Sequence, residues 1–262
     1  MNISLQPLII IPARLGSTRL PNKPLADIMG VPMIVRVWQQ AIKANIAPVL
    51  VATDSEEIVE LIKQNGGNAV LTNPNHPSGS DRIYEAWQIY DKERKYNAII
   101  NVQGDMPLLD PSIISAVLAP LADKSVDIAT LATLIDNQAD KINPAVVKPI
   151  VAWDKTQSTG KALYFTRASA PWHDHASTEH TELYHHIGIY AYRTDILARF
   201  INLPPSRLEL REKLEQLRAL ENNMHIEVVR VNTLPLSVDT AEQLEQVREL
   251  ARKNPQATRQ YY

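Results

Sequence analysis

The 262-residue sequence contains no cysteine. This absence excludes disulfide-stapled scaffolds, zinc fingers, iron–sulfur clusters and cysteine nucleophiles. The chain also lacks any apolar run close to the roughly 18 residues of a membrane span. Met1–Pro7 has neither the basic nor the apolar region of a signal peptide. We therefore expect a cytoplasmic protein without a membrane partner.

Neither sign of charge dominates: 27 Lys and Arg residues face 29 Asp and Glu residues, which gives a formal net charge of −2. Nucleic-acid-binding domains usually carry net basic charge, so we expect no nucleic-acid partner. Two phosphate-binding patterns are also missing, because neither the GK[ST] end of a Walker A loop nor G-x-G-x-x-G occurs. Their absence excludes P-loop NTPases and Rossmann-type NAD or FAD enzymes.

In the first half of the chain, short apolar runs alternate with amphipathic segments. We predict strands at Leu8–Pro12, Ala47–Ala52, Ala69–Leu71 and Asn97–Val102, and helices at Pro32–Ala44, Ser55–Gln64 and Asp81–Arg94. Either Asp54 or Ser55 is expected to cap the second helix. This β-α alternation predicts an α/β fold with a mainly parallel, Rossmann-like sheet that carries helices on both faces.

The pattern changes after about residue 125. Strand candidates then follow one another without long helices, at Asp127–Leu134, Ala145–Trp153, Ala162–Phe165 and Ile187–Tyr192. They predict an antiparallel, β-rich insertion at about residues 126–193 within a single domain of residues 1–253. Further elements are predicted as helices at Asp195–Ile201, Leu208–Asn222 and Ala241–Lys253 and a strand at His225–Val231. Thr240 and Gln243 have the spacing of a capping box, and the polar tail 254–262 is expected to fray.

A basic loop, Pro12–Lys23, follows the first predicted strand. It combines three cations, Arg14, Arg19 and Lys23, with small residues and contains no acid. Ligands of open α/β sheets bind beyond the carboxyl ends of the strands, and Arg and Lys both bind phosphate. The loop therefore indicates a polyphosphate site, although a merely solvated basic loop would have the same composition.

The stretch PARLGSTRLPNKPL in this loop resembles the signature of sugar nucleotidyltransferases, in particular the 3-deoxy-manno-octulosonate (Kdo) cytidylyltransferase family. Further matches run in order over roughly residues 8–250: ATD at 52–54, HPSGSDRIYEA at 76–86, NVQGD at 101–105, NP at 143–144, ALYFTRASAPW at 162–172, HIGIYAYR at 186–193, LEQLRALEN at 214–222 and SVDTAEQLEQV at 237–247. The resemblance implies transfer of CMP from CTP to Kdo for lipopolysaccharide biosynthesis. It also implies a Mg²⁺ cofactor and a homodimer joined through the β-rich segment.

The resemblance also implies a catalytic centre. It assigns Asp105 and Asp239 to the metal, which agrees with the preference of Mg²⁺ for carboxylate oxygens. It assigns Arg14, Ser17 and Lys23 to the triphosphate, with Arg14 and Lys23 counted as catalytic. Read without the family, Asp239 could be a helix N-cap and Asp105 a turn residue beside Gly104.

The remaining implied contacts concern the nucleoside and the sugar acid. The resemblance assigns the cytidine part to Ser78, Gly79 and Arg82, and the sugar acid to Gln103, Arg167, His186, Tyr190, Glu215 and Gln216. Without the family, the first group could be a plain helix N-terminus. Likewise, Tyr190 could be a core residue, Gln216 an exposed helix residue and Arg167 a surface residue at a strand end.

Two alternatives and two local features stay open. The protein could act on a related acid such as 8-amino-Kdo, or it could be an inactive nucleotide-binding homologue. Met106 stands where the family commonly has a glutamate. Five histidines crowd the stretch from His173 to His186, but their spacing matches no zinc motif.

Overall fold

The structure of the protein, a computed structural model, describes residues 4–16, 19–174 and 182–253. The chain divides into two compact units, which we call the terminal unit and the middle unit. The terminal unit combines residues 6–115 with the segment that begins at Pro235, and the middle unit contains Ala116–Leu234. The expected single domain, with its narrower insertion at 126–193, stays a prediction.

The first part of the terminal unit alternates strands and helices as the sequence predicts. Its strands are β1 (Pro7–Ala13), β2 (Asp27–Ile28), β3 (Val31–Pro32), β4 (Val49–Thr53), β5 (Asn68–Leu71) and β6 (Ala98–Asn101), and its helices are α1 (Met33–Lys43), α2 (Glu56–Gln64), α3 (Gly79–Tyr90) and α4 (Pro111–Leu118), which continues past residue 115. The short strands β2 and β3 form a small antiparallel sheet of their own.

The order β5-β4-β1-β6 defines a fully parallel sheet in this unit. The chain moves outward from β1 to β4 and β5, and then returns to β6 on the other side of β1. Right-handed crossovers therefore place α1 and α2 on one face and α3 on the other, as predicted. The reversal of strand order creates a crevice beyond the carboxyl ends of β1 and β6, where open α/β sheets bind ligands.

Burial explains why these segments fold as they do. Leu8, Ile9, Ile10 and Ile11 of β1 are all fully buried, as expected of a parallel strand with helices on both faces. Ser55 is the residue that caps α2, because its side chain accepts a hydrogen bond from the backbone N–H of Ile58. The most apolar strand, β1, thus lies inside the sheet, and the basic loop follows its carboxyl end.

The middle unit is rich in strands and largely antiparallel. It contains β7 (Ile128–Leu134), α5 (Gln138–Ile142), β8 (Lys148–Trp153), β9 (Thr159–Thr166), β10 (Tyr184–Arg193), α6 (Thr194–Ile201), α7 (Arg207–Glu212), α8 (Gln216–Glu221) and β11 (Ile226–Arg230). Three pairings, β10–β7, β11–β9 and β8–β9, are antiparallel, whereas β11–β7 is parallel. This confirms the predicted antiparallel layer after residue 125.

The chain then returns to the terminal unit and forms α9 (Ala241–Lys253), whose bounds match the prediction. Its predicted capping box is present: the N–H of Thr240 donates to Gln243 Oε1 at 3.0 Å, and the N–H of Gln243 donates to Thr240 Oγ1 at 3.3 Å. In the part of the chain that the structure describes, no helix is both long and apolar enough to cross a membrane.

Two helix predictions need correction, and helix α4 was missed. The segment 208–222 is two helices rather than one, because Lys213 adopts a left-handed backbone with φ of 57° and ends α7. The predicted helix 81–94 already ends at Tyr90, since Asp91 leaves helical geometry and Arg94 also has a positive φ. Helix α4 was not predicted at all, because its apolar run has no clear amphipathic period.

Candidate active site

A cleft of about 330 Å³ lies at the carboxyl ends of β1 and β6 in the terminal unit. The basic loop after β1 contributes Arg14, Arg19 and Lys23 to its lining. The start of α3, the end of β6 and the segment before α9 supply the rest, including His76, Ser78, Gly79, Arg82, Gln103, Gly104, Asp105 and Asp239. The cleft thus brings together residues that are far apart in the sequence.

Lys23 is the electrostatic centre of this cleft. Its ammonium group donates to Asp105 Oδ2 at 2.8 Å and to Asp239 Oδ1 at 3.0 Å. The Lys23 side chain is only 17% exposed. Burial alone would lower the pKa of Lys23, but attraction to and hydrogen bonds with the two carboxylates outweigh it and raise the pKa. Lys23 is therefore firmly held as a cation.

Two backbone features bring the carboxylates together. The N–H of Val238 donates to the carbonyl oxygen of Asp105 at 2.9 Å, so the segment before α9 lies against the end of β6. At Gly104, a Cβ atom would lie 2.6 Å from the carbonyl oxygen of Pro12, which leaves room only for glycine. The alternative role of Asp239 as an N-cap is wrong, because Thr240 caps α9 while Asp239 contacts Lys23.

The carboxylate pair also fits a magnesium ion by its chemistry. Both carboxylates contact one nitrogen, so they are close enough to share one small cation. Mg²⁺ is usually held by one or two carboxylates, with substrate phosphates and water as further ligands. No group of three or more His, Cys, Asp or Glu side chains that could hold a metal occurs in the described ranges. The pair therefore suits an ion that needs the nucleotide to complete its coordination.

The residues predicted to bind cytidine form the start of α3. Ser78 is the N-cap, and its hydroxyl accepts from the N–H groups of Ser80 and Asp81 at 3.1 and 3.2 Å. Arg82 lines the cleft but is only 3% exposed, and it donates to Thr72 Oγ1 at 2.6 Å and to Asp54 Oδ2 at 3.2 Å. Arg82 is thus fixed in place by its own partners.

Two residues of this region were not among the predicted site residues. Asp54 accepts from the N–H of Leu15 at 3.3 Å as well as from Arg82, so it links the basic loop to α3. His76 lines the cleft beside Pro77. The sequence did mark Asp54, in the ATD motif at the end of β4, but its helix-capping role was favoured there. His76 is the first residue of the HPSGSDRIYEA match, and this position in the motif was the signal that could have identified it.

Gln103 lines the cleft, whereas the other five residues predicted for the sugar acid lie in the middle unit. Arg167 donates from Nε to the carbonyl oxygen of Glu212 at 2.8 Å, from Nη1 to that of Pro144 at 2.9 Å and from Nη2 to that of Lys213 at 3.4 Å. Arg167 is therefore not a free surface residue. Two of these bonds connect Arg167 to the backbone between α7 and α8, just before Glu215 and Gln216.

Glu215 and Gln216 stand at the start of α8. Gln216 is 8% exposed, which overturns the alternative of an exposed helix residue. His186 and Tyr190 lie together on β10, with their ring centroids 5.5 Å apart. Thr130 Oγ1 lies 3.0 Å from His186 Nε2.

Burial shifts the pKa values of both β10 side chains. Desolvation and the neighbouring His185 lower the pKa of His186 to about 3. Desolvation, Tyr192 and Glu215 raise the pKa of Tyr190 well above its ordinary value. Both side chains are therefore uncharged near neutral pH, and can act as hydrogen-bonding groups rather than as charges.

The structure does not describe one predicted site residue and two residues of the histidine-rich stretch. Ser17, His175 and His180 lie outside the described residues. Met106 is buried at 7% exposure, so this position contributes an apolar contact rather than a carboxylate.

The fold and the cleft define an α/β protein of the nucleotide-binding, doubly wound type with a cation–carboxylate centre at its switch point. A family model described as cytidylyltransferase matches residues 8–226. The chain is 53% identical over 246 residues to a 3-deoxy-manno-octulosonate cytidylyltransferase of Paramagnetospirillum magneticum, covering 94% of this chain and 98% of the relative. A relative of the same name from Methylobacterium radiotolerans is 54% identical over 244 residues, covering 93% and 96%.

Solved structures agree with these relatives. The structure of a CMP:2-keto-3-deoxy-manno-octonic acid synthetase complexed with CTP has a TM-score of 0.86 and 37% identity, covering 95% of this chain and 99% of the other. A cytidylyltransferase from Leptospira borgpetersenii has a TM-score of 0.58 at 15% identity, covering 99% and 100%, and that likeness supports the fold alone. The chain belongs to the cytidylyltransferase family and, within it, to the 3-deoxy-manno-octulosonate cytidylyltransferases.

Proposed function

We propose that this protein transfers CMP from CTP to the anomeric hydroxyl of Kdo, giving CMP-Kdo and pyrophosphate for lipopolysaccharide biosynthesis. The observation that carries this proposal is Lys23, held between Asp105 and Asp239 in the cleft of a chain that belongs to this family. Cations and carboxylates in one crevice are what a metal-bound triphosphate requires.

The charged groups of the cleft divide into two roles. Arg14 and Lys23 would donate to the triphosphate and offset charge on the leaving pyrophosphate. Asp105 and Asp239 would hold Mg²⁺, because both carboxylates already lie against a single cationic group. Bound there, the ion would offset negative charge on the phosphate oxygens and lower the pKa of a nearby hydroxyl.

The acceptor reaction is a direct displacement. The anomeric oxygen of Kdo forms a bond to the α-phosphorus, the bond from that phosphorus to the pyrophosphate breaks, and the hydroxyl proton leaves to solvent or a phosphate oxygen. Such transfers need positioning and electrostatic stabilisation rather than a covalent enzyme intermediate.

The sugar acid would be bound by one cation and several neutral groups. Arg167 has N–H groups beyond the three that hold carbonyl oxygens, and its charge suits the Kdo carboxylate. His186 and Tyr190 are uncharged, which suits hydroxyl groups. Glu215 and Gln216, which belong to the same unit as these residues, would add further hydrogen-bonding groups.

Pyrophosphate release from purified protein, CTP and Mg²⁺ with a panel of sugar acids tests this proposal. Kdo should be the best substrate, and a higher kcat/KM for 8-amino-Kdo would move the acceptor assignment to the amino sugar.

Asp105→Asn and Asp239→Asn should each lower kcat by about 10²-fold or more. Asp27→Asn, which changes an exposed carboxylate of the same unit, is the matched control and should be neutral. Near-normal turnover of both site variants at modest Mg²⁺ concentration would contradict the metal assignment.

We further infer that the protein is a homodimer joined through its middle unit. Large apolar side chains are exposed there, with Trp172 at 83% and Leu163 at 58% exposure. Light scattering at micromolar concentration should give twice the chain mass of 29.4 kDa, and a particle of the single-chain mass would contradict the inference.

We also propose that the protein acts in the cytoplasm, because its substrate CTP is a cytoplasmic nucleotide. Cell fractionation can test this location.

A further inference from the structure

His76 forms a close pair with Glu85 at the edge of the cleft. Its Nε2 atom lies 2.5 Å from Glu85 Oε2, and the same oxygen accepts the N–H of Asn73 at 2.8 Å. Glu85 is carried by α3, the helix whose first turn contains Ser78 and Arg82. The loop that precedes α3 is therefore fastened to the helix at two points, and one of them is a histidine that lines the cleft.

This contact determines which nitrogen of the His76 ring carries the proton. An ionised carboxylate can only accept hydrogen bonds, so Nε2 must carry the proton of the pair. Burial would raise the pKa of Glu85, but the hydrogen bonds from His76 and Asn73 outweigh it and lower the pKa, which keeps Glu85 ionised. In the neutral ring, Nδ1 then carries a lone pair. Among the described residues, Nδ1 has no hydrogen-bond partner.

We propose that His76 selects cytosine over uracil, by accepting a hydrogen bond at Nδ1 from the amino group of the base, and that Glu85 is the positioning residue that sets this tautomer. The proposal rests on the proposed function, since it takes the start of α3 as the nucleoside end of the cleft. Cytosine presents an amino donor where uracil presents a carbonyl acceptor. A lone pair fixed at this place attracts the first and repels the second.

The charges of the cleft favour this role over a phosphate contact. The cations Arg14, Arg19 and Lys23 all come from the basic loop after β1, whereas His76 stands with Ser78 and Arg82 at the start of α3. Arg82 is already bound to Thr72 and Asp54. His76, whose side chain is 18% exposed, thus offers this end of the cleft an acceptor that is not yet engaged.

The test variant is His76→Gln, because a glutamine amide can still donate to Glu85 from the position of Nε2 but has no acceptor at the position of Nδ1. CTP and UTP binding are measured by calorimetry at pH 8 without any sugar acid, alongside kcat/KM for both nucleotides with Kdo. We expect the preference for CTP over UTP to fall about tenfold in both measurements, as for one lost hydrogen bond. The thermal midpoint should stay within a few degrees of the wild-type value.

The matched control is His225→Gln, since His225 also contacts a glutamate, with Nε2 2.9 Å from Glu227 Oε2, but lies in the middle unit. It should leave the CTP preference unchanged. Glu85→Gln keeps an acceptor for Asn73 but lets the ring adopt either tautomer, so it should lower the preference by a smaller factor.

An equal loss of CTP and UTP affinity in His76→Gln would overturn the proposal and assign the ring to the phosphates or to the loop alone. An unchanged preference would overturn it as well. Failure of the proposed function has a different signature, because wild-type protein would then bind CTP in preference to UTP without forming CMP-Kdo.

Discussion

Lys23→Met removes the ammonium group that contacts Asp105 at 2.8 Å and Asp239 at 3.0 Å, while it keeps a side chain of similar length. In the wild-type protein without nucleotide, a divalent cation must compete with this ammonium for the same two carboxylates. The variant leaves the carboxylates without their counter-charge. Affinity for Mg²⁺ alone should therefore rise, even though the catalytic rate falls.

The expected size follows from the geometry. Two unit charges at about 4 Å interact by roughly 4 kcal/mol at the effective dielectric of a site near the protein surface. If one third to two thirds of that attraction opposes the metal, the affinity for Mg²⁺ should rise by about 10- to 100-fold. The kcat/KM for CTP should fall by about 10²-fold, because a cation that stabilises the triphosphate is lost.

Calorimetric titration of the nucleotide-free protein with MgCl₂ measures the first effect, and pyrophosphate release measures the second. Arg19→Met is the control, since Arg19 also contacts Asp239, at 3.2 Å, but is 67% exposed. Such surface pairs contribute little, so its effect on Mg²⁺ affinity should stay below about threefold. If Lys23→Met bound Mg²⁺ no more tightly than wild type, the shared-cation interpretation of the two carboxylates would be wrong.

His186→Gln should make stability less sensitive to acid: folded wild type keeps His186 neutral because burial lowers its pKa to about 3. The unfolded chain takes up that proton below about pH 6.5, so wild type should lose about 2 kcal/mol between pH 7 and pH 5 that the variant retains, as urea unfolding at both pH values can measure. Gly104→Ala should lower stability by about 1–3 kcal/mol because its Cβ atom would lie 2.6 Å from the Pro12 carbonyl oxygen. Gly16→Ala, with no atom of the described residues within 4 Å of the added carbon, should be neutral in the same denaturation assay. Arg167→Ala should lower kcat/KM for Kdo by about 2–5 kcal/mol in free energy while calorimetry shows unchanged CTP binding, and Arg167→Lys should not restore it; a loss of CTP binding instead would move Arg167 to the nucleotide site.

Local sequence patterns were sufficient to predict most strands of the sheet and some residues of the site. The fully apolar run Leu8–Ile11 identifies the central strand without help from the rest of the chain. Asp105 could be placed near the crevice because it comes shortly after the end of a predicted strand, and the capping box of Thr240 and Gln243 marked the start of α9. These features depend on residues within a few positions of one another, which is what a sequence shows most directly.

The contacts that fix the site could not be foreseen in the same way. Lys23 and Asp239 are 216 positions apart, and their ion pair depends on how the end of the chain returns to β6. The bonds of Arg82 to Asp54 and Thr72 likewise depend on the packing of α3 against the sheet. The break at Lys213 is a single left-handed residue in a helical pattern, and no glycine or proline marks it.

The return of the last segment to the terminal unit also has a consequence for synthesis. Val238 and Asp239 complete the carboxylate pair that Asp105 begins, yet they are made after the whole middle unit. A growing chain on the ribosome therefore has the basic loop and the first carboxylate long before the second. The cell obtains a working cation site only after Asp239 has emerged from the ribosome, so chains that terminate before this residue have no complete centre.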